Sequence, residues 1–245
     1  MNSNIKSIAE KLIVALDFSD ANTAKNIAKE LAHLEIWFKV GLELYLSTNG
    51  QILEDLKNIN IFLDLKFHDI PNTVKGACFS AVKPNVKMLN VHASGGKQMM
   101  LAARKAINEA CEIKNIDKPK LIAVTLLTSI DKMILLNDFG LSLSTVDIVK
   151  RLSYLAKESG MDGVVAAGHE TEIIKATCGK NFLVITPGIR QSEASSDDQK
   201  RVQTPYQAIK NGSDYLVIGR NITAAENRLE TTKAILEEMK KAMSS

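Results

Sequence analysis

Short apolar, β-branched runs recur along the chain, each followed by a longer stretch whose apolar residues fall at helical spacing. The runs are LIVAL (12–16), IWFKV (36–40), IFLDLK (61–66), KMLNVH (87–92), KLIAVT (120–125), DGVVAA (162–167), FLVIT (182–186) and DYLVIG (214–219). They are apolar on successive residues rather than alternate ones, which suits parallel strands buried on both faces. Between them, the segment Asp20 to Leu34 puts Ala21, Ala24, Ile27, Ala28 and Leu31 on one helical face. The segments Ser144 to Ser159 and Ala224 to Met243 read the same way. Gly160 and Gly212 stand just before the sixth and eighth runs, where a glycine closes a helix. Eight strand–helix units in 245 residues average about 30 residues each, the size of a βα repeat. No Ser/Gly/Pro-rich linker divides them. The pattern predicts an α/β protein with one domain over residues 1–245, a (β/α)8 TIM barrel. An open doubly wound sheet would begin with a Gly-rich turn, whereas LIVAL runs into DFSD.

Composition narrows the function classes. An apolar content of 45% excludes a disordered chain. The net charge is only +3, and Lys and Arg are scattered along the sequence. A nucleic-acid binder would concentrate them in a stripe, so no nucleic-acid partner is expected. Cys78, Cys111 and Cys178 are widely spaced with no CxxC pair, which fits neither a disulfide framework nor a zinc site. The first apolar run is too short for a signal or a membrane span, and no other stretch approaches eighteen apolar residues. A cytoplasmic protein without membrane contact is expected.

In a (β/α)8 barrel the reactive residues sit at the C-terminal strand ends and in the loops that follow. The polar residues there are Asp17, Lys39, Asp64 with Lys66, His92, Thr125 with Thr128, Thr186, and Gly219 with Arg220. Nearly every strand end is thus expected to deliver something polar to one rim.

Within IFLDLKFHDIPNT, Asp64 and Lys66 stand two apart on a strand, so strict alternation points both into the barrel mouth. Phe62 shares that face deeper in, while Leu63 and Leu65 pack outward against helices. Such a pair by itself also serves to fix a strand end. Lys39 in FKVG and Asp69 beyond the third strand change the weighting. Two lysines and two aspartates converging on one mouth must neutralise one another, because an unpaired buried ion costs several kcal/mol. Tuning of pKa values at a reacting centre is the usual reason for such a cluster.

Two further features suggest an anion. Gly219, Arg220 and a following helix N-terminus form either a phosphate site after the eighth strand or a turn with a solvated arginine. After strand seven comes a polar stretch of about fifteen residues with no helical face, read as a lid loop over about 187–203. Gly188 can hinge it, and Arg190 and Gln199 can reach an anion beneath it.

The strings LDFSD, FKVGLELY, IFLDLKFHDIPNTV, LNVHASGG, VTLLTS, VITPGIR, DDQKRVQTPYQAI and YLVIGRNIT resemble the orotidine 5′-phosphate decarboxylase family along almost the full length. The Asp64-x-Lys66-x-x-Asp69 motif is the most specific of them. The resemblance implies a cofactor-free, metal-free (β/α)8 homodimer with shared active sites. It converts orotidine 5′-monophosphate to uridine 5′-monophosphate (UMP) and carbon dioxide, the last step of de novo pyrimidine synthesis. It implies that Lys66 protonates C6 and that Asp64 sits beside the departing carboxylate. Lys39 bridges Asp64 and the ribose, and Asp17 binds a ribose hydroxyl. Asp69 and Thr73 enter from the other subunit. Thr128 meets the pyrimidine edge, Pro187 lines the base pocket, and Arg190, Gln199, Gly219 and Arg220 hold the phosphate. Asn221 departs from the proline common in relatives after the Gly-Arg pair, which alters the start of the last helix.

Three other functions share parts of this pattern. A hexulose-phosphate synthase or keto-sugar-phosphate decarboxylase shares the barrel and the motif but uses Mg2+, which Lys39 would repel. A metal-dependent sugar-phosphate epimerase using His68 and His92 with Asp64 would need a cation where Lys66 lies. A barrel that only binds a nucleotide or a partner would be expected to lose part of the charged cluster, and all four residues are present.

Overall fold

The computed structural model describes residues 8–190 and 203–244. Eight parallel strands close into a barrel in sequence order, with β1 hydrogen-bonded to both β2 and β8. They are β1 (Leu12–Ala15), β2 (Trp37–Gly41), β3 (Ile61–Phe67), β4 (Val86–His92), β5 (Lys120–Val124), β6 (Gly163–Val165), β7 (Leu183–Thr186) and β8 (Tyr215–Ile218). Each coincides with one of the eight apolar runs. The runs are continuous because the sheet is buried twice, by helices outside and by side chains inside. Ile13, Trp37, Phe62, Met88, Ile122, Ile185 and Val217 fill the interior. Their neighbours Val14, Phe38, Val40, Leu63 and Leu89 face the helices. The barrel is therefore a packed core closed below its mouth.

The helices start where the sequence provides caps. Asp20 accepts from the backbone N–H of Asn22 and Thr23 and opens the helix Ala21–Leu31, which buries Ala24, Ile27, Ala28 and Leu31. Ser144 caps Thr145–Glu158. Pro71 opens Pro71–Ala81, where its missing N–H costs nothing. Gly160 and Gly212 both have positive φ, +76° and +95°, as helix-closing glycines do.

Two expectations are corrected here. The helix expected over Ala224–Met243 starts one turn later, at Arg228, and runs to Ser244, and a separate single turn, Arg220–Thr223, precedes the expected span. Asn227 accepts from the N–H of Glu230 at the start of the longer helix. The rim is also less polar than expected. Thr125 and Thr186 have outward parity, opposite to that of Ile122 and Ile185. Thr125 donates its hydroxyl to the carbonyl of Val165, and Thr186 shares a hydrogen bond with Ser213. Both are buried tethers between neighbouring segments.

The lid loop expected over about 187–203 falls mostly outside the described residues. Its two stems are described. Gly188 has φ +75°, Ile189 pairs with Gln203 in a parallel bridge, and the Arg190 N–H donates to the Gln203 carbonyl at 3.0 Å. Gln199, an expected phosphate ligand, lies outside the described residues.

Candidate active site

At the C-terminal mouth, four side chains form a line of alternating charge. Lys39 Nζ donates to Asp17 Oδ1 at 2.7 Å and lies 3.3 Å from Asp64 Oδ2. Lys66 Nζ donates to Asp64 Oδ1 at 2.7 Å. Lys39 and Asp64 are buried, Lys66 is half-buried and Asp17 is exposed. Strand pairing builds the line. The Leu16 N–H donates to the Lys39 carbonyl, one step beyond β1, and so holds Asp17 above Lys39. Gly41 lies beside Asp64 in the register, and a Cβ there would sit 3.0 Å from Lys39 Nζ and 3.2 Å from Asp17 Oδ1. The glycine leaves the room that this ion pair occupies.

The charges hold one another ionised. Burial alone would raise the Asp64 pKa, but the Lys39 and Lys66 ammonium groups and the donors on its oxygens outweigh that and lower it. Burial likewise works against the charged form of Lys39, and Asp64 and Asp17 reverse the effect and raise its pKa. Within a single chain the second aspartate of the line is Asp17, and Asp69 stands exposed past the strand end.

Asp64 and Lys66 meet as expected, but not through a regular strand. Between the pairs Leu63–Leu89 and Phe67–Val91 the chain advances four residues along β3 and two along β4. The extra length forms a bulge in which Lys66 has φ +51°. A non-glycine residue in that region costs about 1–3 kcal/mol and persists only where its surroundings hold it. Here Asn90 on β4 does so, by accepting the Lys66 backbone N–H at its Oδ1, 2.8 Å away. Its Nδ2 donates to Asp64 Oδ1 at 2.7 Å. The sequence reading missed Asn90. The signal was there, because Asn90 lies two residues past the inward-facing Met88 and so shares the inward parity of a run that is otherwise apolar at its centre.

The line forms one wall of a cavity of about 780 Å³. Asp17, Lys39, Asp64 and Lys66 line it together with Pro187 and Arg190 after β7 and Gly219 and Arg220 after β8. A Cβ added to Gly219 would meet only Ala15 Cβ, at an ordinary 3.6 Å. Protein packing does not demand a glycine there, and the space it leaves belongs to the cavity. Asp69 and Thr73 are exposed and lie outside this lining. Thr128 is exposed beside a smaller recess that also contacts Ala167 and Glu170. Among the described residues no group of three or more His, Cys, Asp or Glu side chains could hold a metal ion. Nor is any helix among them long and apolar enough to cross a membrane.

His92 ends β4 with its ring 5.2 Å from that of His68. Burial, then the nearby His68 and Lys66, lower its pKa, against an opposing pull from Asp64. A pKa lowered on folding means that the unfolded chain binds the proton first, so this part of the stability is present above 6.5 and is lost as pH falls. The melting temperature should therefore fall less steeply below pH 6.5 in His92→Asn than in the wild type, as a thermal-melt series across pH would show.

Residues 10–235 match the family model described as "Orotidine 5'-phosphate decarboxylase / HUMPS family". The chain is 47% identical over 231 residues to the orotidine 5'-phosphate decarboxylase of Legionella pneumophila (strain Corby), covering 94% of this chain and 99% of that protein. It is 44% identical over 234 residues to that of Carboxydothermus hydrogenoformans, covering 95% and 97%. The crystal structure of the Lactobacillus acidophilus enzyme of that name superposes with a TM-score of 0.81 at 34% identity, covering 94% of this chain and 99% of that one.

Proposed function

The chain belongs to the orotidine 5'-phosphate decarboxylase / HUMPS family, and on that basis we propose how its residues convert orotidine 5′-monophosphate to UMP and carbon dioxide in pyrimidine biosynthesis. The observation that carries the assignment is the Asp17–Lys39–Asp64–Lys66 line sharing one cavity with Arg190 and Arg220. The line suits a ribose and a reacting carboxylate, the two arginines a phosphate.

Arg190, Arg220 and the Gly219 backbone, with Gln199, take the phosphate. Asp17 and Lys39 take the ribose hydroxyls, Pro187 lines the base, and Thr128 meets its polar edge. The C6 carboxylate then lies beside Asp64. The bond from C6 to the carboxyl carbon breaks, carbon dioxide leaves, and the electron pair stays on C6 in the ring plane, outside the π system. Lys66 Nζ stabilises that pair as it develops and gives it a proton, and the resulting amine regains a proton from water. Asp69 and Thr73 complete the site from a second copy of the chain, so a homodimer with two shared sites is the active form. Their exposure outside the cavity of a single chain supports this reading. The enzyme works in the cytoplasm.

The metal-dependent branch of the family would need a cation at Asp64. Both Asp64 oxygens already face ammonium groups, at 2.7 and 3.3 Å, which disfavours that reading. A direct assay following the loss of orotidylate absorbance separates the two. Equal turnover with and without a chelator is expected, and loss of activity on chelation would overturn the assignment.

Arg220→Ala should raise KM by about 10- to 100-fold, since a charge-assisted hydrogen bond contributes roughly 1.5–3 kcal/mol. The effect on kcat should be smaller, because the phosphate is remote from C6. Steady-state kinetics check this, and an unchanged KM would count against the phosphate role.

A further inference from the structure

We propose that Asn90 is a positioning residue for the decarboxylation, its carboxamide fixing the Lys66 backbone and the Asp64 carboxylate together and so setting where the Lys66 ammonium stands. This rests on the reading of the site given above.

Asn90 is fully buried on the inward face of β4 and does not line the cavity. The orientation of its amide is determined by chemistry. A backbone N–H can only donate, so the atom facing Lys66 N is the carbonyl Oδ1, and Nδ2 is left to face Asp64. Both hydrogen bonds are short, at 2.8 and 2.7 Å, and both end at the bulge of β3. There the ladder between β3 and β4 is interrupted, and the side chain of Asn90 supplies the acceptor that the neighbouring strand does not. Asp64 Oδ1 thus receives two donors, Asn90 Nδ2 and Lys66 Nζ, while Oδ2 faces Lys39.

Lysine has a flexible four-carbon stem, so its ammonium is placed only as well as its two ends are held. Asn90 holds both, the backbone directly and the head through Asp64. Displacing a reacting group by about 1 Å can cost on the order of 100-fold in rate. Asn90 touches no part of the cavity, so its loss should spare nucleotide binding. A role confined to stability would lower the melting temperature and leave the turnover of the folded fraction unchanged.

The test is steady-state turnover of orotidine 5′-monophosphate together with calorimetric binding of UMP, for the wild type, Asn90→Ala and Asn90→Asp. Asn90→Ala should lose about 100-fold in kcat while its UMP dissociation constant stays within about 3-fold of the wild type. Asn90→Asp keeps the acceptor facing Lys66 and sets a second carboxylate against Asp64. Its deficit in kcat should shrink as pH is lowered, because protonating the introduced carboxyl restores a donor to Asp64. If Asn90→Ala is insoluble, the same split in Asn90→Asp decides. Wild-type kcat in the soluble variants would overturn the proposal, and so would a loss of UMP affinity as large as the loss of kcat. Absence of turnover in the wild type itself would instead overturn the reading of the site on which the proposal rests.

Discussion

Lys66→Ala should abolish turnover, with kcat falling by at least about 10^5-fold, roughly 7 kcal/mol of barrier, while UMP still binds measurably. The reason lies in how little else can stabilise the developing charge. The electron pair left on C6 lies in the ring plane and cannot delocalise, so electrostatics must lower the barrier. Repulsion between Asp64 and the substrate carboxylate, about 4 Å apart, is worth roughly 4 kcal/mol at an effective dielectric near 20. Enzymes remove about 8–23 kcal/mol. Repulsion is therefore the smaller share, and the proposed mechanism assigns the larger to the Lys66 ammonium, 2.7 Å from Asp64. In the proposed site the phosphate and ribose contacts do not pass through Lys66, and UMP has no carboxylate for Asp64 to repel. Single-turnover kinetics and calorimetric titration with UMP check the two halves. Near-normal decarboxylation by this variant would sink the assigned role of Lys66.

Most of the fold was legible because the signal was local. Eight runs, apolar on successive residues, mark strands buried on both faces, and Asp20, Ser144 and Pro71 mark helix starts. Parity was harder to read. In a run that is apolar throughout, nothing in the sequence says which residues face inward, so Thr125 and Thr186 were read as rim residues when their hydroxyls tie neighbouring segments together outside the barrel. The bulge was not legible at all. It depends on the register between β3 and β4, set by residues more than twenty positions apart. The pairing of Asp64 with Lys66 was thus anticipated from an alternation that the strand does not keep, and the residue that makes it work, Asn90, was passed over. In Asp69 and Thr73 the limit is different, since their expected roles need a second copy of the chain.

Asp64→Asn should separate binding from chemistry in the opposite sense to Arg220→Ala. Three donors converge on Asp64, from Lys39, Lys66 and Asn90. An amide offers them one acceptor oxygen and turns an NH2 group toward an ammonium, so at least one lysine loses its partner. Lys39 keeps Asp17 at 2.7 Å, and the ion left unpaired is Lys66. With the negative charge gone, Lys39 and Lys66 outweigh Asp17 by one positive charge next to an anionic substrate. The ground state should bind as tightly as before or more tightly, because the carboxylate-to-carboxylate repulsion has gone. Chemistry should suffer, because Lys66 is no longer held and the repulsion is no longer relieved as carbon dioxide leaves. A fall in kcat on the order of 10^3-fold, about 4 kcal/mol, is expected with KM unchanged or lowered. Stability gives an independent check with a defined sign. In the wild type the lowered Asp64 pKa contributes stability that is complete above the ordinary aspartate value of 3.8 and is lost as pH falls through the lower folded value. The variant lacks that contribution, so its melting temperature should lie below that of the wild type near neutrality and approach it in acid. A raised KM with kcat intact would mean that Asp64 serves binding alone.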